Sequence, residues 1–202
     1  MGFSFSPAQY GGWCAPLLTH EHLCELVGGR PDASVYPQLR DMEDALLFED
    51  ATIQDTEMAA CCRSGLWLLH DYLDESHQIS QSIETATGSY WHGIMHRREP
   101  DFSNAAYWFR RVGTHPVFAD LVTTARELAQ DTRVTDVADS DFLRQQQAWD
   151  PFRFIDLCSA AVDGRPSSGS LCRRIAHAEW QLLFDYCYRH SRCERTGSAP
   201  DR

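Results

Sequence analysis

Apolar residues recur at three- and four-residue spacing along most of this chain, and no stretch alternates long enough to draw a strand. Ala59, Cys62, Leu66, Leu69 and Leu73 form one stripe, the pattern of a helix with a single buried face. Extended by four, the stripe reaches His77, and His70 stands four after Leu66. The pattern therefore predicts one long helix from Asp55 to His77, with two histidines on or beside its buried face. The segment SIETATG interrupts the pattern. Ser89 is then placed to cap a short helix over 90–99, ended by Pro100. Asp101 is placed to cap another over 102–112, with Gly113 as its stop. On that helix Phe102, Ala105, Trp108, Phe109 and Val112 share one face, and Asn104, Tyr107 and Arg111 share another.

Further on, His115-Pro116 opens a helix running to about Ala129, and a polar connection covers 130–139. A shorter helix is expected over 140–148. Asp150 and Pro151 start the next, and Gly164 follows its end. RPSSGS reads as a surface loop, and a last helix spans about 170–190. Before all of these, residues 1–40 are rich in Pro and Gly, with one short helix in PLLTHEHLCEL, and RDMEDALLFE predicts another. The expectation is all-α: a single-domain helical bundle of seven or eight helices. Residues 1–40 form its irregular N-terminal arm, 41–193 the helical domain and 194–202 a flexible tail.

Charge narrows the partners. The 202 residues carry 18 basic and 29 acidic side chains, a net charge of −11, which argues against binding nucleic acid through its phosphates. No run of residues is apolar enough to predict a membrane span, and the first residues lack the pattern of an export signal. The eight cysteines show no C-x-x-C spacing, so reduced thiols and a cytoplasmic setting are expected. There is no P-loop, no G-x-S-x-G and no Gly-rich dinucleotide fingerprint, so ATP-dependent transfer and Rossmann-type redox chemistry fit poorly.

Candidate chemistry concentrates in SYWHGIMHRREPDFSNAAYWFRRVG, residues 89–113. His92 and His96 are four apart and project from one helical face, a spacing that lets two imidazoles reach one metal ion. His77 can supply a third ligand and His70 a fourth, and Glu84, between the two helices, can also reach in. Residue 93 is Gly, so the metalloprotease H-E-x-x-H is not formed. A divalent transition metal held this way would leave a position for water or substrate. Glu99 and Asp101 are the acid–base candidates. Arg97 and Arg98 precede Pro100 and Arg110 and Arg111 follow it; their guanidinium forks suit carboxylate or phosphate. Arg97, Arg98, Asn104, Tyr107 and Arg111 are thus candidate binders of a small anionic or polar molecule. Structural duties compete for the same residues: Asp101 as a helix cap, and the arginines as partners of nearby acids.

SYWHGIMHRREPDFSNAAYWFRRVG, together with GLWLLHDYLDESHQISQSIE, WDPFRFIDLC and EWQLLFDYCYRH, resembles an uncharacterised family of bacterial proteins, over about residues 55–190. The resemblance implies a single domain and brings no activity or catalytic residue with it. Two functions stay open on the residues alone. One is a small metal-dependent enzyme with a His-rich pocket between helices. The other is a metal-free module that binds a small anion or a protein partner through segment 97–111.

Overall fold

The computed structural model describes residues 3–19, 23, 25–49, 51–130, 141–164 and 169–193. All-α architecture is confirmed: the described residues hold eleven α-helices and no strand, only an isolated antiparallel bridge between Ile53 and Arg192. The helix number exceeds the expected seven or eight; a second short helix forms in the arm and the first long helix is divided. The predicted connection beyond Gln130, most of RPSSGS and the tail lie outside the described residues.

The arm contains a 3-10 turn at Pro7–Tyr10 and the short helices α1 (Ala15–Leu18) and α2 (Tyr36–Arg40). Helix α3 (Asp44–Leu47) follows. These pieces are seated on the main body by buried aromatic residues. Tyr10 donates from its hydroxyl to Asp185 Oδ1 at 2.9 Å and packs edge-on against Phe184 and Tyr188.

Helix α4 (Thr56–Leu69) starts at Asp55, whose carboxylate accepts from the backbone N–H groups of Glu57 and Met58. Its apolar stripe continues in sequence, but the helix does not. Asp71 adopts a left-handed conformation with φ 66°. Asp71 N–H donates to Leu68 O at 3.3 Å and Tyr72 N–H to Trp67 O at 3.0 Å. These two bonds are the reverse-turn pattern that closes a helix C-terminus. Asp is one of the few residues that tolerate this backbone without glycine's freedom. The Arg98 guanidinium pairs with the Asp71 carboxylate and so holds the turn. The single helix expected over 55–77 is therefore corrected to α4 and a separate α5 (Leu73–Ser80).

Helix α6 (Ala86–Arg98) starts earlier than expected. Its cap is Thr85, which accepts from Gly88 N–H, and not Ser89, which lies inside the helix. Helix α7 (Phe102–Val112) is capped by Asp101 and ends at Gly113, as read from the sequence. Helices α8 (Val117–Gln130), α9 (Asp141–Gln145), α10 (Pro151–Val162) and α11 (Gly169–Ser191) complete the chain, with Asp150 and Pro151 starting α10 as expected.

Every residue of α6 from Thr87 to Arg98 is buried. It packs against α4, α5 and α7, while α11 packs against α4 and α8. Close approach depends on two glycines. A Cβ on Gly65 would lie 2.8 Å from the Trp91 ring, and one on Gly93 would lie 2.9 Å from the Phe109 ring.

Burial reaches the charged residues too. Arg97 pairs with Glu179 of α11, both almost wholly inaccessible, and Tyr90 donates to the other Glu179 oxygen at 3.0 Å. The Arg97 guanidinium also lies over the Phe154 ring, 4.7 Å from its centroid. Removing one member of such a pair leaves an uncompensated charge in the core. Glu179→Ala is expected to cost about 3–5 kcal/mol of stability in urea denaturation. The double change of Arg97→Met with Glu179→Leu should be much less damaging. Equal losses in the two variants would show that the network does not act as a charge pair.

Candidate metal centre

Helices α5 and α6 bring three imidazoles together. His92 and His96 lie one turn apart on α6, and His77 faces them from α5. One ring nitrogen from each lies within 4.8 Å of the other two. The ring centroids are 4.6 Å apart for His92 and His96, 4.7 Å for His77 and His92, and 5.4 Å for His77 and His96. A tetrahedral ion with nitrogen ligands needs them roughly 3.3 Å apart, a modest closure of these rings. His92 and His96 are buried and His77 half-buried, so the group sits at the edge of the core.

The residues around the rings set their chemistry. Ser80, one turn after His77 on α5, places its hydroxyl 3.1 Å from His92 Nδ1 and also reaches the His77 carbonyl. If the serine hydroxyl donates to that carbonyl, it accepts from His92 Nδ1–H, and Nε2 is left as the basic nitrogen. Glu99, the residue closing α6, stands with Oε2 2.9 Å from His96 Nδ1. A carboxylate here fixes the ring, favours the Nδ1–H tautomer and raises the basicity of Nε2. Asn104 Nδ2 lies 3.1 Å from His96 Nε2 and 3.4 Å from its Nδ1. Those near-equal distances place the amide against the ring between its nitrogens, not along the lone pair of either one. Trp108 lies against His92, with ring centroids 4.0 Å apart.

Burial, reinforced by the neighbouring His96 and His77 rings, pushes His92 down to about 3. Burial also lowers His96, against the opposing pull of Glu99. Neutral imidazole is the metal-binding form, so these shifts keep lone pairs available at neutral pH.

The other predicted residues divide clearly. His70 is a correction: it ends α4 on the far side of the Asp71 turn, and its Nε2 contacts the Leu17 carbonyl at 2.9 Å. It does not join the three-histidine group. Glu84 is exposed and is not in that group either. Asp101 is occupied as a cap, accepting from Asn104 N–H at 3.1 Å and from the Ser103 hydroxyl at 3.0 Å. These bonds, the Asn104 N–H first, hold its carboxyl below the usual range. Arg97 is committed to Glu179, and Arg98 to Asp71 and the carbonyls of Leu68 and Glu25. The four arginines therefore do not converge on one anion. Arg111 lies over Trp108, and Tyr107 is exposed beside the same ring.

Ser80 and the inward role of Trp108 were not read from the sequence. Ser80 carries a usable signal, since it follows His77 by three and shares its face on α5. Trp108 was placed with the apolar face of α7, yet it is only half-buried and sits one turn after Asn104. The adjacent thiols have a packing role: Cys61 and Cys62 are buried near Cys187, which accepts from Trp91 Nε1 at 3.4 Å.

No family model, curated protein or solved structure matches the chain. Among the described residues, no helix is long and apolar enough to cross a membrane.

A pH dependence follows from the buried histidines. His115, held down to about 4 by burial and by nearby His190, adds to the effect of His92. The unfolded chain takes up protons near pH 6.5, whereas folded His115 and His92 resist until about 4 and about 3. Between those limits the unfolded state binds more protons, so stability falls as pH falls. The metal-free protein should give a flat urea midpoint above about pH 7 and a declining one from about 6.5 toward 4. A midpoint constant across that window would contradict the assignment.

Proposed function

We propose that the protein is a small metal-dependent enzyme, acting in a cytoplasmic setting on a small anionic or polar molecule at the His77–His92–His96 centre. The observation that carries this reading is the convergence of three imidazoles from two helices, with ring nitrogens within 4.8 Å. A three-imidazole set suits a late first-row divalent ion such as zinc better than magnesium or calcium, which prefer oxygen ligands. Three protein ligands leave a coordination position for water or substrate.

In this scheme each nearby residue has a definite task. His77, His92 and His96 bind through neutral nitrogens. Ser80 holds the His92 tautomer and Glu99 orients His96. Trp108 shields the His92 ring from water, and Asn104 offers an amide at the rim. A bound divalent ion supplies Lewis acidity or an activated water. Glu99 is the nearest carboxylate for proton transfer, although its contact with His96 makes orientation its first task.

Metal analysis after incubation with zinc or cobalt and desalting is the direct test. One equivalent is expected in the native chain, with loss of tight binding in His77→Ala, His92→Ala and His96→Ala. Glu99→Gln should weaken affinity by about 10–100-fold. His70→Ala should retain the metal while losing stability, since its contact is with the arm. No retained ion, or retention indifferent to the three histidines, would defeat the proposal.

The second reading is a metal-free module for a small anion or a protein partner. It is favoured by the exposed arginines Arg110 and Arg111 beside exposed Tyr107. Thermal stabilisation by carboxylates or phosphates with no response to any metal would select it.

A further inference from the structure

The arginines flanking Pro100 are of two kinds. Arg97 and Arg98 are buried and paired. Arg110 and Arg111 are exposed, and among the described residues neither has a carboxylate within ion-pair distance; each lies over an aromatic ring instead. Acidic side chains outnumber basic ones by 29 to 18, and Arg63, Arg97, Arg98 and Arg144 each hold one. Arg153 and Arg192 likewise lie over the rings of Phe142 and Tyr188, so it is position, not pairing, that singles out one of these arginines.

Arg110 and Arg111 point differently. Arg110 lies 6.0 Å from the centroid of Phe152 on α10. Arg111 lies 5.2 Å from the centroid of Trp108, and that ring is itself against His92 at 4.0 Å. Asn104, Trp108 and Arg111 are spaced by four and three residues, so they form one face of α7. Asn104 touches His96 and Trp108 touches His92, which fixes that face as the one turned to the three histidines. Arg111 is the next residue along it.

We propose that Arg111 is the substrate-anchoring residue of the metal centre, and that the substrate has two ends. An oxygen at one end reaches the open metal position, and a carboxylate or phosphate at the other pairs with Arg111. The proposal rests on the metal reading above. Its physical basis is the separation of two positive groups, the ion and the guanidinium, by neutral imidazoles and an indole. Such a site discriminates by the distance between two oxygen groups on one small molecule. The planar fork of Arg111 matches carboxylate or phosphate with two parallel hydrogen bonds. Trp108 restrains that fork by cation–π contact, which reduces the freedom lost on binding. Arg110 faces the other way and serves as the control.

The test uses the full chain loaded with cobalt, whose visible absorption reports ligands entering its shell. Succinate and glycerol phosphate are the two-ended probes, and acetate is the one-ended probe. Arg111→Gln should weaken both two-ended probes about tenfold or more, consistent with loss of a charged hydrogen-bonded contact. Acetate should be unchanged, Arg111→Lys intermediate and Arg110→Gln like the native chain. Succinate responding without glycerol phosphate would identify a carboxylate substrate, and the reverse a phosphate ester; both support the anchor. No cobalt absorption would overturn the metal reading and this proposal together. Cobalt absorption with two-ended probes indifferent to Arg111, or equally weakened by Arg110→Gln, would overturn this proposal alone. So would loss of acetate binding to the same extent, since that places Arg111 in the metal shell's support and not at a distal anchor.

Discussion

Helix α6 is buried from Thr87 to Arg98, yet it carries two arginines, two histidines, a threonine and a serine. Removing such groups from water is tolerated only where each finds a partner, and the rest of the molecule is arranged around that requirement. Arg97 finds Glu179 on α11, and Tyr90 joins the same carboxylate. Arg98 finds Asp71 at the turn that ends α4. Thr87 finds His115, with Oγ1 3.2 Å from Nε2. The helix is therefore a spine with polar as well as apolar attachments, and those attachments fix the positions of α4, α5, α8 and α11 relative to it.

The Arg98–Asp71 pair shows how stability and the site are connected. Asp71 permits the left-handed turn that stops α4 at Leu69. Without that turn the apolar stripe would carry the helix straight on and leave His77 far from α6. With it the chain reverses, α5 lies against α6, and His77 and Ser80 meet His92 and His96. Arg98, two residues after His96, helps to hold the turn that delivers the third histidine. Its value to the centre is architectural, which explains why an arginine chosen from sequence as an anion binder is buried instead.

Helical spacing made the fold class legible, together with the caps at Asp55, Asp101 and Asp150. The break in the first long helix was hidden because its closing residue is Asp, not the Gly that usually marks such a turn. The position of His70 was hidden for the same reason: one continuous helix would have kept it beside His77. Helix α6 was underestimated because a helix buried on all sides has no polar face for periodicity to reveal. The partner of Arg97 lies 82 residues away in sequence, and no local pattern points to it. The pair His92 and His96 was visible because four-residue spacing is itself local. His77 was proposed beside them for a reason the turn removes, and it reaches them by a different route.

What distinguishes the three histidines from the two arginines of α6 is how their partners are arranged. Arg97 and Arg98 are matched by opposite charge, whereas His92, His96 and His77 are matched chiefly by one another. Ser80 and Glu99 engage Nδ1 on two of the rings, so the remaining nitrogens in the cluster are bases set close to bases. Protonation would relieve that crowding in water, but burial and the neighbouring rings oppose it at His92, and burial opposes it at His96. Among the described residues, hydrogen-bond donors for the lone pairs are few, since Asn104 lies against the His96 ring between its nitrogens. A single divalent cation, as proposed for this cluster, would satisfy all three bases at once, would replace mutual repulsion with attraction, and would require no proton to be displaced from His92 at neutral pH. The three imidazoles at the edge of this core are thus set where together they could hold a metal ion.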